Sequence, residues 1–135
     1  MAGGDTRTVD YEVYEPAYLM EGARPSNVVL EDASGGVLTN PVLSRGQRIR
    51  VIATLEEMSL GTFLSQVVLM APGATTHHSD MSQRYHQLPI VAGGQALKVE
   101  VDMPLTDKDL PSGFYMLFVV TNTGISSEAV WIQLQ

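Results

Sequence analysis

Glycine and proline interrupt this chain at short intervals: Gly22 to Pro25, Gly35-Gly36, Gly46, Gly61, Pro72-Gly73, Gly93-Gly94, Pro111 to Gly113 and Gly124. The segments between them run about five to ten residues, the spacing of strands in a β-sandwich. Several segments alternate. In Arg48-Ile49-Arg50-Val51-Ile52-Ala53, the residues Ile49, Val51 and Ala53 share one face while Arg48 and Arg50 face water. In Leu97-Lys98-Val99-Glu100-Val101-Asp102 the apolar set is Leu97, Val99 and Val101. A period of two with β-branched residues marks a half-buried strand.

Other segments are apolar at every position. Val67-Val68-Leu69-Met70 and Phe114-Tyr115-Met116-Leu117-Phe118-Val119-Val120 predict central strands covered on both sides. Ala129 to Leu134 predicts a further strand, with Trp131 in the core. Gly93-Gly94 suits a tight hairpin turn, pairing roughly residues 83–91 with 95–102. Tyr115, just after the Pro111-Ser112-Gly113 bend, predicts a tyrosine corner. Helix signals are poor; residues 55–65 offer at most one turn, weakened by Gly61. About seven strands and no internal repeat give an all-β, immunoglobulin-like sandwich over residues 11–135. Residues 1–10 read as a disordered or artificially appended lead-in. The start, Met1-Ala2-Gly3-Gly4-Asp5, lacks the basic and apolar regions of a signal peptide.

Tyr11, Tyr14 and Tyr18 are interleaved with Asp10, Glu12, Glu15 and Glu21, and Pro16 breaks any regular element. This segment reads as a lead-in strand laid over the sandwich, or as a surface that packs on a preceding domain.

Composition limits function. The chain has 135 residues, enough to bury a core unaided. Eight basic against fifteen acidic residues give a net charge of −7. That excludes nucleic acid and an anionic membrane surface as main partners, since both require clustered Lys and Arg. No apolar run approaches the ~20 residues of a membrane span. With no cysteine, a disulfide framework, a thiolate metal site and a cysteine nucleophile are excluded.

One stretch holds all three histidines: Pro72-Gly73-Ala74-Thr75-Thr76-His77-His78-Ser79-Asp80-Met81-Ser82-Gln83-Arg84-Tyr85-His86. It lies between two strand segments and predicts a loop or hairpin tip. Neutral imidazole is a common ligand for copper and zinc. Adjacent residues of a strand point to opposite faces, however, so His77 and His78 do not share a metal in extended chain. No Ser/His/Asp triad or phosphate loop is legible. Glu56-Glu57 and Glu31-Asp32 read as solvated turn residues, and the seven methionines as core filler.

Thr76-His77, followed by Gln83-Arg84, resembles the C-terminal domain of galactose oxidase and the glyoxal oxidases, the copper radical oxidases. Three further motifs match in order. Tyr14-Glu15-Pro16-Ala17-Tyr18-Leu19 with Arg24-Pro25 is similar to the junction where those enzymes leave their β-propeller. Val68-Leu69-Met70-Ala71-Pro72-Gly73 is similar to the strand before their histidine loop. Pro111-Ser112-Gly113-Phe114-Tyr115-Met116-Leu117-Phe118-Val119 resembles their P-G-Y-Y-M-L-F-V strand. The resemblance runs from about Tyr11 to Leu134.

The resemblance implies an early-set immunoglobulin-like domain behind a seven-bladed propeller. One long hairpin enters the propeller's channel, and the histidine at its tip is a copper ligand; the matching position is His77. The remaining ligands, two tyrosines and a second histidine, and a cross-linked cysteine belong to the propeller. The implied partner is therefore an upstream propeller of the same parent chain, with copper held only in the intact parent. The implied parent is secreted or bound to the cell wall, and oxidises a primary alcohol or aldehyde with O₂. His78 stands as a bystander, His86 as a strand residue, and Gln83 and Arg84 as supports of the loop. The competing reading is an extracellular carbohydrate- or protein-binding module, for which Tyr85 is the best exposed aromatic.

Overall fold

The computed structural model describes residues 13–56, 61–76, 79–81, 84–93 and 96–135; for 74–76 and 79–81 it describes the backbone alone. Twelve strands form: β1 (Ser26–Glu31), β2 (Val37–Leu38), β3 (Val42–Leu43), β4 (Arg48–Thr54), β5 (Leu64–Met70), β6 (Ala74–Thr76), β7 (Ser79–Met81), β8 (Tyr85–Leu88), β9 (Ile90–Ala92), β10 (Lys98–Asp102), β11 (Gly113–Thr121) and β12 (Val130–Leu134). Two five-stranded sheets stack as a sandwich, in the orders β2-β1-β4-β10-β9 and β3-β12-β11-β5-β8. β6 and β7 pair only with each other. The all-β sandwich expected from the spacing of Gly and Pro is present, in more and shorter pieces than seven.

Alternation decides which side chains are inside. Ile49, Val51 and Ala53 of β4 and Val99 and Val101 of β10 are buried, as their patterns predict. They pack in one cluster with Val67 and Leu69 of β5, Tyr115, Leu117 and Val119 of β11, and Ile132 and Leu134 of β12. The alternate residues of the first sheet form a lattice of cross-strand ion pairs. Arg50 lies between Glu31 and Glu100, at 3.3 and 3.2 Å, across three adjacent strands. Arg48 holds Asp102 through two hydrogen bonds of 2.7 and 3.1 Å. Glu31 is thus an ion-paired strand residue rather than a turn residue. Asp32 does sit in the following turn, accepting from the Ser34 hydroxyl and the N–H groups of Ser34 and Gly36.

The hydroxyl of Ser34 and the N–H of Gly36 hold the Asp32 carboxyl below its ordinary value, and Arg48 does the same for Asp102. A carboxyl depressed in the folded state contributes stability above its unfolded pKa, near ~3.9. That contribution is lost as pH falls through the lower folded value. The melting temperature is therefore expected to be level near neutrality and to fall in acid below about pH 4. Asp102→Asn should flatten part of that fall in a calorimetric pH series, and an unchanged slope would refute the assignment.

Tyr115 makes the tyrosine corner. Its hydroxyl donates to the Pro111 carbonyl at 2.6 Å, fastening the bend to the start of β11. Burial pushes its phenol pKa up. Arg45 secures the same bend by donating to the carbonyls of Thr106 and Leu110, at 2.9 and 2.6 Å. Tyr115→Phe removes one hydrogen bond and keeps the ring. It should cost about 1 kcal/mol in denaturant unfolding, with no change in near-native structure. A cost near zero would mean that the corner is not a structural tie.

Four expectations are corrected. The segment 83–91 is not one strand: Pro89 divides it, leaving β8 on β5 in one sheet and β9 on β10 in the other. A proline has no N–H for the ladder, so the chain changes sheet there. Gly93 keeps the positive φ, +81°, predicted for the turn, and a Cβ there would overlap the Lys98 carbonyl oxygen; Gly94 lies outside the described residues. Over its described residues, 13–25, the N-terminal segment is not a strand laid over the core. Ala17–Met20 is a single 3-10 turn, and Val13, Tyr14 and Met20 are exposed. Of the single turn considered over 55–65, residues 57–60 lie outside the described residues, and Leu64-Ser65 already belongs to β5. Finally, β5 and β11 are covered on both sides only in part: Val68 is buried and Met116, Phe118 and Val120 are half-buried, but Met70 and Phe114 are exposed, and Trp131 is not in the core but 46% exposed.

Candidate functional site

The histidine-rich stretch is a hairpin rooted in the second sheet. β5 and β8 pair antiparallel as far as Met70↔Tyr85. The Ala71 N–H then donates to the Arg84 carbonyl at 3.0 Å. The ladder resumes as β6 and β7, from Ala74↔Met81 through Thr75↔Asp80 to Thr76↔Ser79. Pro72-Gly73 interrupts the pairing because proline lacks the donor N–H and glycine weakens strand conformation. Thr76 lies six residue steps beyond Met70, a reach of at most about 22 Å.

His77 and His78 are the two positions between the paired Thr76 and Ser79 in the chain, and they lie outside the described residues, as does Gln83. Of the other residues singled out from sequence, Arg84 is exposed at the hairpin's root, where its carbonyl receives Ala71. Its charge opposes the upward shift of the Tyr115 phenol, as does that of Arg45. His86 is a strand residue of β8, paired with Leu69 and half-buried, as expected. Tyr85 is exposed, also as expected, at 60%.

The root carries a feature that sequence reading missed. Directly paired residues share a face of a sheet, and successive residues alternate. With Tyr115, Leu117, Ile132, Leu69 and Leu88 inside, the outer row through Met70 is Trp131-Met116-Met70-Tyr85. The nearest signal was the unbroken apolar run 114–120, half of which had to face outward.

Among the described residues no group of three or more His, Asp or Glu side chains could hold a metal ion. Away from the hairpin, on the β12 side, an open groove lies between Met20–Val28 and Glu128–Val130. It is closed at one point by the Arg24 guanidinium, which donates to the Ser126 carbonyl at 3.1 Å. No helix among the described residues is long and apolar enough to cross a membrane.

Comparison with known proteins places this architecture. The family model of the galactose oxidase-like, early set domain matches residues 34–134. Aldehyde oxidase GLOX1 of Arabidopsis thaliana is 29% identical over an alignment covering 91% of this chain and 20% of that protein. A fungal alcohol oxidase of the AA5 family, solved in complex with copper, superposes with a TM-score of 0.57 at 21% identity. That match covers 89% of this chain and 23% of the oxidase, and it speaks for the fold. The chain thus spans about a fifth of the length of these relatives.

Proposed function

Because this chain belongs to the galactose oxidase-like early set domain family, we propose that it serves as the C-terminal accessory domain of a copper radical oxidase. In this reading it supplies His77, which follows β6 in the chain, as one copper ligand to a separate propeller domain. The parent would be a secreted or cell-wall enzyme that oxidises a primary alcohol or aldehyde with O₂, releasing H₂O₂. Copper, when bound, supplies the redox chemistry there. The sandwich supplies position, since a hairpin rooted in a rigid sheet can hold an imidazole with little freedom.

The observation that carries this reading is the ladder itself. Pairing through Thr76↔Ser79 leaves only His77 and His78 between the two strands in the chain, and His77 is the position that matches the family's ligand. Both relatives named above are oxidases of which this chain matches only 20% and 23% of the length.

Calorimetric titration of the 135-residue chain with Cu²⁺ tests the division of labour. Weak binding and no oxidase activity are expected, because one or two imidazoles do not complete a copper site. Tight one-to-one binding that disappears in His77→Ala would overturn it by placing the whole site in this domain.

One observation favours a second reading, an extracellular carbohydrate-binding module. Trp131 and Tyr85, at 46% and 60% exposure, are aromatic side chains open on one face of the sheet.

A further inference from the structure

Little of the lead-in over residues 13–25 is held by burial. Val13, Tyr14, Tyr18 and Met20 are exposed, and the 3-10 turn over Ala17–Met20 buries no residue. Its backbone bonds are internal, from the Leu19 N–H to Pro16 and from the Glu21 N–H to Tyr18. Among the described residues, one hydrogen bond joins this lead-in to the sandwich: the Arg24 Nε donates to the Ser126 carbonyl at 3.1 Å. Its neighbours stiffen that point. Pro25 is buried, and a residue before proline is biased to extended conformations. Gly22 lies close on the segment that receives Arg24, where a Cβ would come within 2.8 Å of the Ile125 Cδ1.

The receiving segment, residues 121–127, is fastened unusually well. Thr121 and Ser127 are the buried polar residues among those described, and both hydroxyls bond here. The Thr121 Oγ1 accepts from the Ile125 N–H. The Ser127 Oγ accepts from the Val119 N–H and donates to the Glu128 carbonyl. Buried polar groups that are fully satisfied rigidify and specify one arrangement. Ser126 itself bridges Val120 of β11. From there β11 and β5 pair without a shift, from Val120↔Gln66 to Met116↔Met70, and the hairpin leaves the sheet beyond Met70. Four residue steps of paired strand, about 13 Å, thus join the anchor of the lead-in to the root of the hairpin.

We infer that Arg24 is a positioning residue: it clamps the entering chain to β11, and so fixes the point of entry relative to the strand that leads to His77. The consequence for His77 rests on the proposed function; the clamp itself does not. A lead-in free to swing at Arg24 would let the sheet, with its hairpin, shift against whatever precedes it. A misplacement of about 1 Å from a change far from the chemistry can cost on the order of 100-fold in rate.

The chain has no cysteine, so Met20→Cys with Val37→Cys, both at exposed positions, takes two spin labels and no others. Double electron–electron resonance on the 135-residue chain should give one narrow distance distribution. Arg24→Ala should broaden it about twofold or more, as a segment loses its tie. The melting temperature should stay in the range of a surface substitution, because Arg24 lies outside the core cluster. An unchanged width in Arg24→Ala would overturn the clamp, and so would a broad distribution with Arg24 in place. In the parent protein, Arg24→Ala should lower kcat per bound copper by about tenfold or more, with KM within about twofold. Broadened distances in the free chain with unchanged kcat in the parent would overturn the positioning role. An unmodified parent that binds no copper contradicts the proposed function instead, and the label distances still decide the clamp.

Discussion

Alanine at His77 in the parent protein is expected to remove stoichiometric copper and with it oxidase turnover, while the domain remains folded. Outer partners of a metal ligand alone typically cost ~10–100-fold in affinity or activity, so loss of a ligand itself should cost at least about 100-fold. The sandwich should be indifferent. β6 and β7 pair only with each other. The melting temperature of this domain should accordingly stay within the range of a surface substitution, about 0.5 kcal/mol. His78→Ala is the control, and should retain both copper and turnover. Metal analysis of the purified parent, with activity measured by H₂O₂ release, decides the matter. Full copper occupancy in His77→Ala would sink the assignment of this ligand. Loss of occupancy with either histidine would show that the two act together.

The second large effect is structural. Leu117 lies at the centre of β11, wholly buried, with Leu69 of β5 and Val130 of β12 as its cross-strand partners. Leu117→Ala should cost about 3 kcal/mol, from the lost burial and the cavity left in a core that cannot fully collapse. For a domain of this size that corresponds to a fall in melting temperature of roughly 10 °C. The informative comparison is Phe114→Ala, three residues earlier on the same strand. Phe114 is the larger side chain and belongs to the same apolar run, yet it points outward. In the free domain its removal should cost under about 1 kcal/mol. Equal costs at the two positions would mean that the outer face is covered within this chain.

How much was legible beforehand varied with the kind of signal. The strands of the first sheet were readable because their alternation is visible: Arg48 and Arg50 facing out and Ile49, Val51 and Ala53 facing in are a pattern of one strand alone. The tyrosine corner was readable because it is local, a bond from Tyr115 to a carbonyl four residues back. The hairpin around His77 was readable as a loop between two strand segments, and its family match covers most of the chain. The extent of the 83–91 strand was not readable, because Pro89 moves the chain between sheets, and the sheet that each half joins depends on residues far away. The orientation of Trp131 was missed although it carried a mark: Gln133, two residues on and so on the same face of β12, points away from the core.

The sequence by itself determined the class of fold, the places where the chain turns, the acidic and cysteine-free composition, and the one stretch that holds all three histidines. These follow from backbone sterics, period-two patterning and composition, all of which act locally or in sum. Only the tertiary structure decided that the apolar run 114–120 has a fully buried face and a second one that is half-buried, with Phe114 exposed. It also lined up Trp131, Met116, Met70 and Tyr85 at the root of the hairpin. The physical reason is that burial belongs to pairs of surfaces. Whether Phe114 or Leu117 faces water is set by the sheet packed against β11, and residues 48–53 and 98–102, distant along the chain, supply that sheet.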